Sequence, residues 1–141
     1  MTNATPLEEA ANELREDFEF LTDWEDRYAH IIDLGKSLEP LSDAEMNDTN
    51  KVLGCASQVW LVTENKENGT LHFRGTSDAI LVSGLIALLL NIYSGNTPKD
   101  ILAFDAQAFF SSIGVDEALS PQRSNGFKSM LNRIRSDAEA V

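Results

Sequence analysis

The stretch AILVSGLIALLLNIY, Ala79 to Tyr93, constrains the fold more than any other part of the chain. It is apolar nearly all round a helical wheel, and a helix without a polar face must be enclosed by other elements. Thr76-Ser77-Asp78 offers N-caps at its start and Gly95 a stop at its end. Its apolar part, Ile80 to Tyr93, falls short of the roughly 20 residues that cross a bilayer and is interrupted by Ser83 and Gly84. The segment is therefore read as the central buried helix of a water-soluble domain, and the rest of the chain must supply the layers that cover it.

Those layers can be read on either side. Leu7, Leu14, Phe18 and Leu21 are spaced as one face of an opening helix. Thr22-Asp23-Trp24-Glu25 fits the capping box of a second helix, with Trp24, Tyr28, Ile31 and Gly35 on one stripe and Ile32 beside it. Pro40 and the polar residues Ser42 to Asn50 read as a loop. Val52, Val59, Leu61 and Leu71 to Arg74 carry strand character, and the polar turn Glu64 to Gly69 joins two runs as an antiparallel hairpin. A short strand at Asn50 to Leu53 is predicted before it, with Gly54-Cys55-Ala56 as the corner. Thr97-Pro98 and Ser120-Pro121 each start a helix by the cap-then-proline pattern; Gly114 ends the segment holding Phe104, Phe109 and Phe110. In the last helix Phe127, Met130, Leu131 and Ile134 face inward. The fold class is α+β: a small antiparallel three-stranded sheet with helices packed on one face. With no repeat and no break in composition, residues 1–141 read as one domain, with residues 1–6 disordered.

A chain of 141 residues is large enough to bury a real core. Its formal charge of −12 argues against nucleic acid and anionic lipid as partners and favours a partner with a basic surface. The N-terminus has neither a basic region nor an apolar run, so no secretory signal is read there and the protein is expected in the cytoplasm.

Cys55 is the only cysteine, which excludes an internal disulfide and a cysteine-rich zinc site. A free cysteine is commonly a small buried hydrophobe. Here it follows Gly54 at a corner, where a reactive thiol fits as well, and position alone leaves both readings open. A cysteine hydrolase or transferase acting on a small molecule would need a histidine as base; His30 and His72 are the candidates, neither in a recognisable signature. A thiol–disulfide oxidoreductase would ordinarily need a resolving cysteine. A carrier, whose one sulfur takes a group from one protein and hands it to another, needs no second thiol.

Five collinear blocks sharpen this. VLGCASQVWLV resembles the V-x-GC-x-S-x-VWL signature of the SufE family, sulfur acceptors in iron–sulfur cluster assembly. DWEDRYAHIIDLGKSL (Asp23 to Leu38), GTSDAILVSGLIALLL (Gly75 to Leu90), TPKDILAFD (Thr97 to Asp105) and LSPQRSNGFKSMLNRIR (Leu119 to Arg135) are similar to its other blocks in the same order. The resemblance implies a SufE/IscU-like α+β fold. It also implies that Cys55 takes persulfide sulfur from a SufS-type cysteine desulfurase, stimulates that enzyme, and delivers the sulfur to a SufBCD-type scaffold. Pyridoxal phosphate would belong to the desulfurase; no cofactor or metal is implied for this chain, and a homodimer is left open. The chain itself would be a carrier and activator rather than an enzyme.

The neighbours of Cys55 each have a plain and a functional role. Gly54 serves as the turn residue, or also clears space for a docking partner. Ser57 and Gln58 satisfy the loop backbone or hold the thiol loop retracted. Trp60 reads as core packing. Asp78 suits the first turn of the central helix, or tunes the thiol loop. Arg123 is a surface ion-pair residue, or a guanidinium that favours the anionic sulfur. The apolar setting of the motif suggests that Cys55 rests turned towards side chains of the central helix and swings out when a partner docks.

Overall fold

A computed structural model describes residues 5–55, 57–115 and 119–141. Its first helix, α1 (Pro6–Phe20), is set by Thr5, whose hydroxyl accepts the Glu8 amide, and by proline in the first turn. Thr5 and Pro6 are thus ordered, while the rest of the stretch expected to be disordered, residues 1–4, lies outside the described residues. Leu7, Ala11, Leu14 and Phe18 recur every three or four positions and are the face that α1 buries. Asp23 caps α2 (Trp24–Gly35) by accepting the Glu25 amide, so the cap stands one residue later than a Thr22-based box would put it. Arg27 of α2 ties the corner between the two helices, donating to the carbonyls of Leu21 at 2.5 Å and Phe18 at 2.8 Å. Of the predicted α2 stripe, only Ile31 is fully buried.

β1 (Val59–Asn65) and β2 (Leu71–Ser77) form the antiparallel hairpin, with Leu61 opposite Gly75 and Thr63 opposite Phe73. Its turn is closed by Lys66 donating to Thr70 O and Gly69 to Lys66 O. The predicted third strand at Asn50 to Leu53 does not form among the described residues; the sheet has two strands. What remains of it is a single bridge, Lys51 to Trp60, with Val52 N donating to Val59 O and Leu61 N to Asn50 O, each at 2.8 Å. The physical reason lies on both sides. Asn47 and Asn50 bind their side chains into the preceding turn, and the chain turns away again at Leu53-Gly54. Too few residues are left to extend a ladder.

Alternation along β1 and β2 puts Val59, Leu61, Leu71 and Phe73 on the core face. Trp60, between two core residues, therefore stands half-buried on the opposite face and is not the core anchor predicted for it. The core face packs on α3 (Ile80–Tyr93), which also meets α2, α1 and the last helix. Every residue from Gly84 to Leu90 is buried, as a helix apolar all round requires. Burying each of its large side chains contributes about 1.5–3 kcal/mol. The crossing with α2 is possible only at glycine: a Cβ on Gly84 would lie 2.3 Å from the Ile31 carbonyl oxygen. α4 (Pro98–Ala103), capped by Thr97, and α5 (Ala106–Ser112), capped by Asp105, bring Phe109 and Phe110 onto this core. α6 (Pro121–Glu139), capped by Ser120, closes it with Phe127, Met130, Leu131 and Ile134.

Candidate functional site

The lone thiol lies in the six-residue connection from Leu53 to Gln58, between the residual bridge and β1; Ala56, part of the predicted corner, is outside the described residues. Gly54 makes the turn with φ +91°, in the left-handed region that favours glycine. A side chain there would also strike α6, since a Cβ would come within 2.5 Å of Ser129 Oγ. Gly54 is therefore needed for conformation and for the close approach of the loop to α6. Below the loop, Arg133 of α6 donates to Thr49 O at 3.0 Å and Lys51 O at 3.4 Å, fixing the segment that leads into it.

Beyond the thiol, Gln58 is held to the stretch between β2 and α3. Asp78 Oδ1 accepts the Gln58 amide at 3.0 Å, and the Asp78 amide donates to Gln58 O at 3.3 Å. Asp78 does not cap α3, whose N-cap is Ala79 without a side-chain bond; Ser77 Oγ accepts the Ala79 amide instead. Asp78 thus bonds to the end of the loop that carries the thiol.

Cys55 itself is partly buried. Its thiol donates to the Gly126 carbonyl of α6 at 3.5 Å. It lines a recess of about 30 Å³ whose walls are Val82 and Leu85 of α3 and Gly126, Phe127 and Met130 of α6. Ser57 and Arg123 are the polar members of the same recess. Burial pushes the thiol pKa up from its ordinary value. The sulfur rests against apolar side chains, a setting that disfavours the thiolate. Arg123 is exposed, shares the recess, and among the described residues makes no side-chain ion pair. Its backbone amide serves the Ser120 cap.

Of the residues singled out in the sequence, the fold brings Cys55, Ser57 and Arg123 to one recess, with Gly54 at its turn and Gln58 and Asp78 at its far anchor. No histidine bonds to Cys55 among the described residues. His72 faces Ser94 Oγ at 3.2 Å and Glu39 at 3.2 Å, while His30 stacks edge-on against Phe18. These contacts do not place either histidine as a base for Cys55. Sequence reasoning missed Gly126. A glycine inside a helical pattern is the signal that would have raised it, since such a residue usually has a packing or functional reason.

No cluster of three or more metal-ligating side chains occurs among the described residues, and none of the described helices is long and apolar enough to cross a membrane. A family model described as SufE, Fe-S metabolism associated domain, matches residues 12–138. An uncharacterized SufE-like protein of Rhizobium etli is 50% identical over 131 residues, covering 91% of this chain and 88% of its own. Another, from Rhizobium meliloti, is 47% identical over 131 residues, covering 91% of this chain and 94% of its own. The solution structure of a hypothetical protein from Thermus thermophilus superposes with a TM-score of 0.76, covering 93% of this chain and 94% of its own at 18% identity, a likeness of fold.

Proposed function

Because this chain belongs to the SufE family, whose domain is associated with Fe-S metabolism, we propose that it is a sulfur carrier acting through Cys55. The observation that carries this reading is the placement of the only cysteine on a short loop over an apolar recess, beside the Arg123 guanidinium and, among the described residues, without a histidine base. Among the described residues those groups include no histidine base for a hydrolase, and a carrier needs none.

In the proposed step the Cys55 thiol leaves the recess, loses its proton to water, and attacks the outer sulfur of a persulfide on a SufS-type cysteine desulfurase. A sulfur–sulfur bond forms at Cys55 as the one in the donor breaks, and the donor cysteine leaves as thiolate. The sulfur moves with no net oxidation or reduction, so this chain needs no prosthetic group; pyridoxal phosphate would serve the desulfurase in releasing sulfur from cysteine. Emptying the donor site would stimulate that enzyme. The same exchange, run onto a SufBCD-type scaffold in the cytoplasm, would deliver the sulfur. Arg123 would stabilise the anionic sulfur once it is outside, where the guanidinium is exposed. Leu53, 79% exposed and two residues before the thiol, offers apolar area to the docking enzyme.

Intact mass tests this after incubation with a SufS-type desulfurase and cysteine without reductant. The wild type gains one sulfur atom and raises desulfurase turnover, and Cys55→Ser does neither. Stimulation that persists in Cys55→Ser would refute the carrier role.

A further inference from the structure

We propose that Gly126 is a positioning residue for the transferred sulfur: its missing side chain leaves the seat in which the outer sulfur of a Cys55 persulfide rests, a seat with room for one sulfur atom. This rests on the carrier reading of Cys55 and goes on to name what protects the cargo and limits its length.

Gly126 lies inside α6, where glycine costs about 1 kcal/mol relative to alanine. Its φ is not in the left-handed region, so the helix itself does not call for glycine. The unmodified thiol does not call for it either. A Cβ at Gly126 would stand 3.5 Å from Cys55 Sγ, 3.6 Å from its Cα and 3.7 Å from its Cβ, all ordinary contacts. A persulfide changes this. Its outer sulfur sits about 2.05 Å beyond Sγ. On the Gly126 side that atom would overlap a methyl group already in contact with Sγ. Glycine therefore gives more space than the thiol uses and the space that one added sulfur needs. The recess measures about 30 Å³, enough for one small atom, since a single water needs about 10–15 Å³ of such space. Val82, Leu85, Phe127 and Met130 give it apolar walls.

The test loads wild type, Gly126→Ala and the exposed-face control Asn125→Ala with sodium tetrasulfide. In that exchange the Cys55 thiolate takes one sulfur from the tetrasulfide dianion and leaves the trisulfide dianion, with charge and electrons balanced. Iodoacetamide then alkylates thiol and persulfide forms, folded and urea-unfolded, with adducts resolved by intact mass. Shielding is the ratio of unfolded to folded rates. The wild type and Asn125→Ala carry one sulfur and shield both forms. Gly126→Ala shields its thiol as the wild type does, loses persulfide shielding about tenfold, as for an overlap of about 1.4 kcal/mol, and accumulates adducts of two or more sulfurs. Equal persulfide shielding in Gly126→Ala overturns the inference, and so does an equal loss for both forms, which would mean a loosened helix. Shielded adducts of two or more sulfurs on the wild type overturn the one-sulfur limit. A wild type that takes up no sulfur brings down the carrier reading, and the seat with it.

Discussion

Two helical glycines, given the same substitution, should change stability in opposite directions. At Gly84 a methyl group would lie 2.3 Å from Ile31 O, 2.6 Å from Ile31 Cγ2 and 2.7 Å from Ile31 C. Two of these atoms belong to the α2 backbone and cannot rotate away. Gly35 reports the same closeness from the other side, since its own Cβ would be 2.7 Å from Gly84 N. Relief requires α2 and α3 to part along their crossing, and overpacking of this kind costs about 1–3 kcal/mol. Alanine's better helix propensity returns about 1 kcal/mol at most. With backbone on the far side of the clash the upper end applies, so Gly84→Ala should lose about 2 kcal/mol net. Gly126→Ala meets contacts no shorter than 3.5 Å and should gain about 0.5–1 kcal/mol from propensity. Urea unfolding followed by far-UV circular dichroism measures both on one scale, with unchanged slopes showing that the unfolded state is not responsible. A Gly84→Ala variant as stable as the wild type would refute the claim that this crossing is closed to a side chain.

Three further outcomes are expected. Arg74 holds the Glu45 carboxyl down to about 2, and that of Glu64 below its ordinary value. Depressed folded-state pKa values give stability that is present above the unfolded value near 4.5 and lost as pH falls from there towards 2; the urea midpoint should fall across that window, and less steeply in Glu45→Gln. The raised pKa of Cys55 predicts that its alkylation by iodoacetamide rises with pH through a midpoint above that of the urea-unfolded chain. A midpoint at or below the unfolded one would contradict a desolvated thiol. Asp78→Ala removes the acceptor of the Gln58 amide and should speed Cys55 alkylation several-fold while costing about 1 kcal/mol of global stability.

The sequence was most legible where one requirement dominated. An apolar run with no polar face had to be enclosed, and α3 is buried from Gly84 to Leu90. Cap residues followed by proline marked the starts of α4 and α6. The third strand failed because its length depends on where neighbouring turns close, and those closures use the side chains of Asn47 and Asn50. Trp60 was misjudged because residue type outweighed alternation, although Val59 and Leu61 on either side already claimed the core face. Asp78 read most simply as part of the first turn of the central helix, with tuning of the thiol loop second; its carboxylate instead accepts the Gln58 amide, a contact between distant residues that no local pattern announces. At the site, Cys55 stood out because it is single. The walls of its recess did not, since Val82, Leu85 and Met130 look like any other apolar residues on helical faces, and only tertiary packing gathers them round one sulfur.

The hydrogen bond between Val52 and Val59 has a consequence for geometry between molecules. It pins both ends of the cysteine loop at one point, so the loop's reach is set by a tether anchored at its base. Cys55 is the third residue from that anchor, and three extended residues span about 10 Å. If Cys55 takes sulfur from a partner as proposed, a donor sulfur deeper than about that distance below the partner's surface would be out of reach of this loop.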